Sequence, residues 1–81
     1  MARVVFAPEM LAYTSGEAEL EVSATSYRAA IVAVKQRYPE LDDALLSRFA
    51  VAIDDTVINS PLLETLAPDS ELIFVPKISG G

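Results

Sequence analysis

Apolar and polar positions along this chain change period several times, and each change marks an element. Arg3-Val4-Val5-Phe6-Ala7 is short, β-branched and aromatic, and it stops at Pro8, the pattern of a strand covered on both faces. Between Pro8 and Gly16 runs a polar connection with room for a helical turn. Pro8 suits a first helical position there, and Gly16 a reversal at positive φ. From Glu17 to Val22 the alternation is strict, with Ala18, Leu20 and Val22 on one face and Glu17, Glu19 and Glu21 on the other. Period two with one polar face predicts an antiparallel strand hairpinned to the first, its glutamates in solvent.

Thr25 and Ser26 offer N-cap hydroxyls, and Tyr27, Ala30, Ile31, Val34 and Tyr38 then recur at helical spacing until Pro39. Tyr27 and Tyr38 lie on this apolar stripe, which makes them core residues with a hydrated hydroxyl. Lys35 and Arg37 fall near the helix C-terminus, where cations suit the dipole. Leu41, Leu45 and Leu46 predict a second, shorter helix up to about Arg48. Phe49, Val51 and Ile53 alternate with Ala50 and Ala52, and Asp54-Asp55 turns the chain into Thr56-Val57-Ile58 as a second strand pair. Asn59-Ser60-Pro61 breaks this pair. A leucine-rich connection follows, and Pro68-Asp69-Ser70 turns into a last strand, Leu72-Ile73-Phe74-Val75, apolar on both faces.

Two strands, a long helix, a short helix and three strands predict an α+β roll with a mixed five-stranded sheet. The first and last strands become parallel neighbours at its centre. If Leu72 and Phe74 face the helix, Ile73 and Val75 face away, with Arg3, Val5 and Ala7 beside them and Val57 extending the row. An apolar face that a single helix leaves uncovered is expected to be a protein interface.

Composition narrows the chemistry. The chain has 81 residues, twelve acidic against six basic for a net charge of −6, and no Cys, His or Trp. Disulfides, thiolate metal sites, cysteine nucleophiles and the commonest general base are thereby excluded. Ser79 has no base to activate it as a nucleophile, and the Asp42-Asp43 and Asp54-Asp55 pairs read as a helix start and a turn, so no metal site is expected. The acidic balance argues against nucleic acid and membrane surfaces as partners. No apolar run reaches the roughly 20 residues of a membrane span, and Met1-Ala2-Arg3 leads into a strand pattern, so the expected location is cytoplasmic. The length allows one domain, residues 1–75, and leaves residues 76–81 as a flexible tail.

That tail, Pro76-Lys77-Ile78-Ser79-Gly80-Gly81, extends up to about 20 Å. Glycines contribute little to folding, and without side chains Gly80-Gly81 suits a channel too narrow for any Cβ. The segment from Leu66 to Gly81 resembles the closing segment of the MoaD/ThiS family of ubiquitin-like sulfur carriers, in which an acidic turn, an apolar strand, a proline and a Gly-Gly end recur. Arg3 to Ala7, the helix from Tyr27 to Tyr38 and the total length resemble that family too. Within it the chain looks most like the small subunit of molybdopterin synthase. Lys77, where that branch usually has a second proline, and Ser70, where the turn often has Gly, depart from its pattern.

The resemblance implies a β-grasp fold and a non-catalytic carrier. An E1-like adenylating enzyme, consuming ATP, would activate the Gly81 carboxylate. A persulfide sulfur-donor protein would then convert it to a thiocarboxylate. Pro76, Lys77, Ile78, Ser79 and Gly80 would enter the active site of a sulfur-accepting enzyme such as a molybdopterin synthase large subunit. Val5, Val57, Ile73 and Val75 would form the docking face. No bound cofactor is implied. Carriers for thiamine, cysteine or another sulfur metabolite share these features. The rivals outside that class are a ubiquitin-like modifier joined to lysines through Gly81 and a plain interaction domain.

Overall fold

Five strands form one mixed sheet in the order β2-β1-β5-β3-β4 in the computed structural model, which describes residues 1–59 and 61–77. The strands are β1 (Ala2–Val5), β2 (Glu19–Val22), β3 (Phe49–Ile53), β4 (Thr56–Ile58) and β5 (Glu71–Pro76). The helices are α1 (Tyr27–Arg37) and α2 (Asp43–Leu46), and a 3-10 helix spans Pro8–Tyr13. β1 and β5 are the parallel central pair, and the other pairings are antiparallel. This is the expected β-grasp roll. β5 runs one residue past the expected domain boundary, with Pro76 opposite Phe49.

Local chemistry explains most boundaries. Ser26 caps α1, its hydroxyl accepting from the Ala29 N–H at 3.1 Å, and Asp42 caps α2 by accepting from the Leu45 N–H at 2.9 Å. α2 is a single turn, shorter than the stretch to Arg48 that its leucines suggested, and Leu41 is buried just ahead of it. Asp54 and Asp55 have φ of 48° and 74°, and Ile53 pairs with Thr56. A two-residue loop with positive φ at both positions matches the right-handed twist of the strands, and Asp tolerates that region better than most residues.

Three expectations fail around the first hairpin. Ala7, placed beside Val5 on the outward face, caps the 3-10 helix and is buried, because Pro8 turns the chain inward at once. The connection expected to be polar buries Met10 and Thr14 completely, with the Thr14 hydroxyl donating to the Glu17 carbonyl at 2.7 Å. β2 starts at Glu19, so Ala18, expected on the inner face, is exposed, and Glu17, exposed as expected, stands ahead of the strand. Glu17 receives Arg37 Nη2 at 3.1 Å and the Tyr38 hydroxyl. That hydroxyl is bonded to protein where hydration was expected. Burial chiefly, with help from Glu17, pushes the Tyr38 pKa up.

The core lies between the inward sheet face and the two helices. Ala2, Val4, Val22, Val51, Leu72 and Phe74 meet Ala30, Val34 and Leu46 there. Phe6, Phe74 and Phe49 form an aromatic chain with Tyr38 edge-on to Phe6 at 5.4 Å. The connection before β5 is tied to the segment ahead of α1: Leu66 N–H donates to the Thr25 carbonyl and Tyr27 N–H to the Glu64 carbonyl.

Candidate partner-binding face and tail root

Strand pairing puts the outward residues into register. Val5 lies beside Ile73, Ile73 beside Ala52 and Ala52 beside Val57, a continuous apolar row across β1, β5, β3 and β4. At about 4.8 Å per strand, three steps span some 14 Å. Val75 and Ala50 form the next row toward the chain end. Val5, Ile73 and Val75 are half-buried, Val57 is 63% exposed, and none of these residues belongs to the core. The four residues expected to dock partners are thus brought onto one face, where Ala50 is 2% exposed and Ala52 half-buried. Sequence reasoning missed Ala50 and Ala52, whose signal was present: small residues alternating with Phe49, Val51 and Ile53 must share the face of Ile73.

One rim of this face is charged. Arg3 Nη2 meets Glu71 Oε2 at 2.7 Å, and Arg3 Nη1 lies 3.9 Å from Glu19 Oε1. These groups are well hydrated, and such pairs contribute at most about 1 kcal/mol. The charged rim bounds the patch on the side away from the tail. On the opposite side the chain leaves the sheet through Pro76, and Lys77 N–H donates to the Arg48 carbonyl at 3.4 Å. Val75 therefore stands both on the apolar face and two residues from the tail root. Ile78, Ser79, Gly80 and Gly81 lie outside the described residues, as does Ser60.

Ser70 has a structural use. Buried at the entry to β5, its hydroxyl donates to Asp54 Oδ2 at 2.7 Å and accepts from the Ala67 N–H at 2.8 Å. Asp54 Oδ1 accepts from the Glu71 N–H at 3.0 Å. The bond from Glu71 first, and that from Ser70 second, hold the Asp54 carboxyl below its ordinary value. Both carboxylate oxygens are thus engaged in joining the β3–β4 hairpin to the turn before β5. A serine where the resembling family often has Gly was the only sequence signal for this link.

The sheet order, with a helix crossing one face and an apolar opposite face, defines a ubiquitin-like β-grasp protein. The ThiS family matches residues 4–81, and the chain belongs to that family of ubiquitin-like sulfur carriers. No curated protein sequence matches it. Among solved structures, a chain of the Amycolatopsis orientalis BexX/CysO complex superposes with a TM-score of 0.82 at 18% identity, each chain covered completely. The small archaeal modifier protein 1 of Methanosarcina acetivorans gives 0.76 at 20% identity, covering 99% of this chain and 95% of that one. The corresponding SAMP1 of Haloferax volcanii gives 0.71 at 18% identity, covering 99% and 98%. At these identities the likeness establishes the fold. Among the described residues, no helix is long and apolar enough to cross a membrane.

Proposed function

We propose that this protein carries sulfur as a thiocarboxylate on Gly81, most specifically as the small subunit of molybdopterin synthase. The observation that carries the reading is the outward apolar face, which reaches the tail root, in a chain that matches the ThiS family through Gly81. A carboxylate is a poor electrophile. Attack of its oxygen on ATP forms an acyl adenylate and releases pyrophosphate, so that AMP becomes the leaving group. The terminal sulfur of a donor persulfide then attacks the acyl carbon. Cleavage of the resulting acyl disulfide by a second thiol leaves the thiocarboxylate and an ordinary disulfide. Activating enzyme and sulfur acceptor would use the same face in turn, each receiving the tail, and the catalytic groups would be theirs.

Lys77, in place of the second proline usual in the molybdopterin branch, keeps carriers for thiamine, cysteine or another sulfur metabolite as the alternative. The likeness to small archaeal modifier proteins favours a second reading, in which Gly81 is joined to lysines.

Intact mass spectrometry separates these readings. With an activating enzyme, ATP and a persulfide donor, the mass should rise by the difference between one sulfur and one oxygen atom, localised to Gly81. Deleting Gly81 should abolish the gain and leave the thermal midpoint unchanged. Isopeptide bonds to lysines with no thiocarboxylate would replace the carrier reading with the modifier one. A molybdopterin synthase large subunit that accepts the sulfur would fix the pathway.

A further inference from the structure

A second surface lies on the helix side of the sheet, distinct from the outward face. There α1, α2, the start of β3 and the connection after β4 enclose a groove of about 410 Å³. Its floor is apolar, formed by Ile31, Leu46 and Phe49. Val32 and Leu62, 55% and 57% exposed, form its lips. Large aliphatic side chains left this open, on both walls of one concavity, form a surface suited to a partner.

The charge of the groove identifies the kind of partner. Arg28, Lys35 and Lys77 line it, half of the six basic residues, while Asp43 is the one carboxylate on its walls among the described residues. This is a local inversion in a chain whose acidic residues outnumber basic ones two to one. Lys35 and Asp43 pair at 2.7 Å, so the excess positive charge resides on Arg28 and Lys77 at the two sides. An apolar floor between cations complements an amphipathic segment with an aliphatic or aromatic anchor and carboxylates beside it. A polyanion such as nucleic acid fits poorly, since the rest of the surface would repel it and the floor would gain nothing from phosphates.

We propose that this groove docks an acidic peptide segment of a partner protein, its apolar anchor seated over Ile31 and Phe49 and its carboxylates beside Arg28 and Lys77. Lys77 is also the first residue beyond β5, so a segment bound here lies at the tail root without occupying Val5, Ile73 or Val75. The groove can be filled while the outward face is engaged.

The test is an NMR titration of the full chain with three synthetic peptides sharing a Leu-Phe-Leu centre and flanked by Glu, Ser or Lys. The Glu-flanked peptide should shift the amides of Ile31, Val32, Phe49 and Leu62, bind about tenfold more tightly than the Ser-flanked one, and weaken with salt, as expected for a few exposed charge pairs. Arg28→Glu, at an exposed first-turn position, should reverse the preference toward the Lys-flanked peptide without lowering the thermal midpoint. Leu62→Ser should weaken all three. Equal binding of the three peptides, shifts confined to Val5, Ile73 and Val75, or no groove shift with the Glu-flanked peptide would overturn the proposal. So would saturation of the groove amides by a short single-stranded oligonucleotide in preference to the acidic peptide.

Discussion

Phe74 and Val75 are sequence neighbours on opposite faces of β5, so a pair of substitutions tests fold and interface together. Phe74 is 2% exposed, its ring stacked on Phe6 at 6.2 Å and edge-on to Phe49 at 6.4 Å. Phe74→Ala loses the transfer energy of the ring and leaves a cavity, about 3–5 kcal/mol together. The two aromatic contacts, about 0.5–1.5 kcal/mol each beyond area burial, place the expected value at the upper end. A domain of this length has a stability of about 4–12 kcal/mol, so the variant should be largely destabilised and partly unfolded at 37 °C. Val75→Lys adds a charge to a half-buried outward position whose long stem reaches water, and it should cost about 1 kcal/mol or less. Urea denaturation followed by circular dichroism measures both. The same Val75→Lys protein should bind the proposed activating enzyme and sulfur acceptor at least about tenfold more weakly, because a lysine in the middle of a desolvated apolar contact is unpaired. If Val75→Lys unfolds the protein and Phe74→Ala is tolerated, the register of β5 is inverted and the interface argument fails with it.

Two further outcomes follow from the hydrogen bonds. The Asp54 carboxyl is depressed in the folded protein, so its contribution is present above the ordinary carboxylate range and is lost as pH falls toward the folded value. Asp54→Asn, which keeps a residue tolerant of positive φ, should be less stable than the parent at pH 6, with the gap narrowing as the pH falls below the ordinary carboxylate range; a pH-independent gap in thermal midpoint would contradict this. Ser26→Ala removes the hydroxyl that accepts from the Ala29 N–H and should cost about 1 kcal/mol. An unchanged denaturation midpoint would show that the cap is energetically idle.

Periodicity and punctuation were sufficient for the elements themselves. The stripe from Tyr27 to Tyr38, the alternation from Phe49 to Ile53 and the two-sided apolar run of β5 are local patterns, and each forms the element it predicted, although Ala50 is as buried as its neighbours Phe49 and Val51. The outward row of Val5, Ile73 and Val57 was legible for the same reason: once Leu72 and Phe74 point inward, the pleat dictates the rest. The outcome at Ala7, Met10 and Glu17 was not, because each depends on where a connection closes over the core. Glu17 is one more acidic residue in an alternating row until the hairpin brings it against Arg37 and Tyr38, twenty or more positions away. Ser70 and Asp54 are likewise unremarkable turn residues until two turns distant in sequence meet and a hydroxyl bridges them. The basic groove is the clearest case. Arg28, Lys35 and Lys77 read as scattered surface charges in an acidic chain, and only the packing of α1 against α2 and the end of β5 gathers them around one apolar floor. Local pattern decides which face a side chain takes, since it needs only the period of the backbone. Which side chains meet is decided by closure of the chain, and no period encodes that.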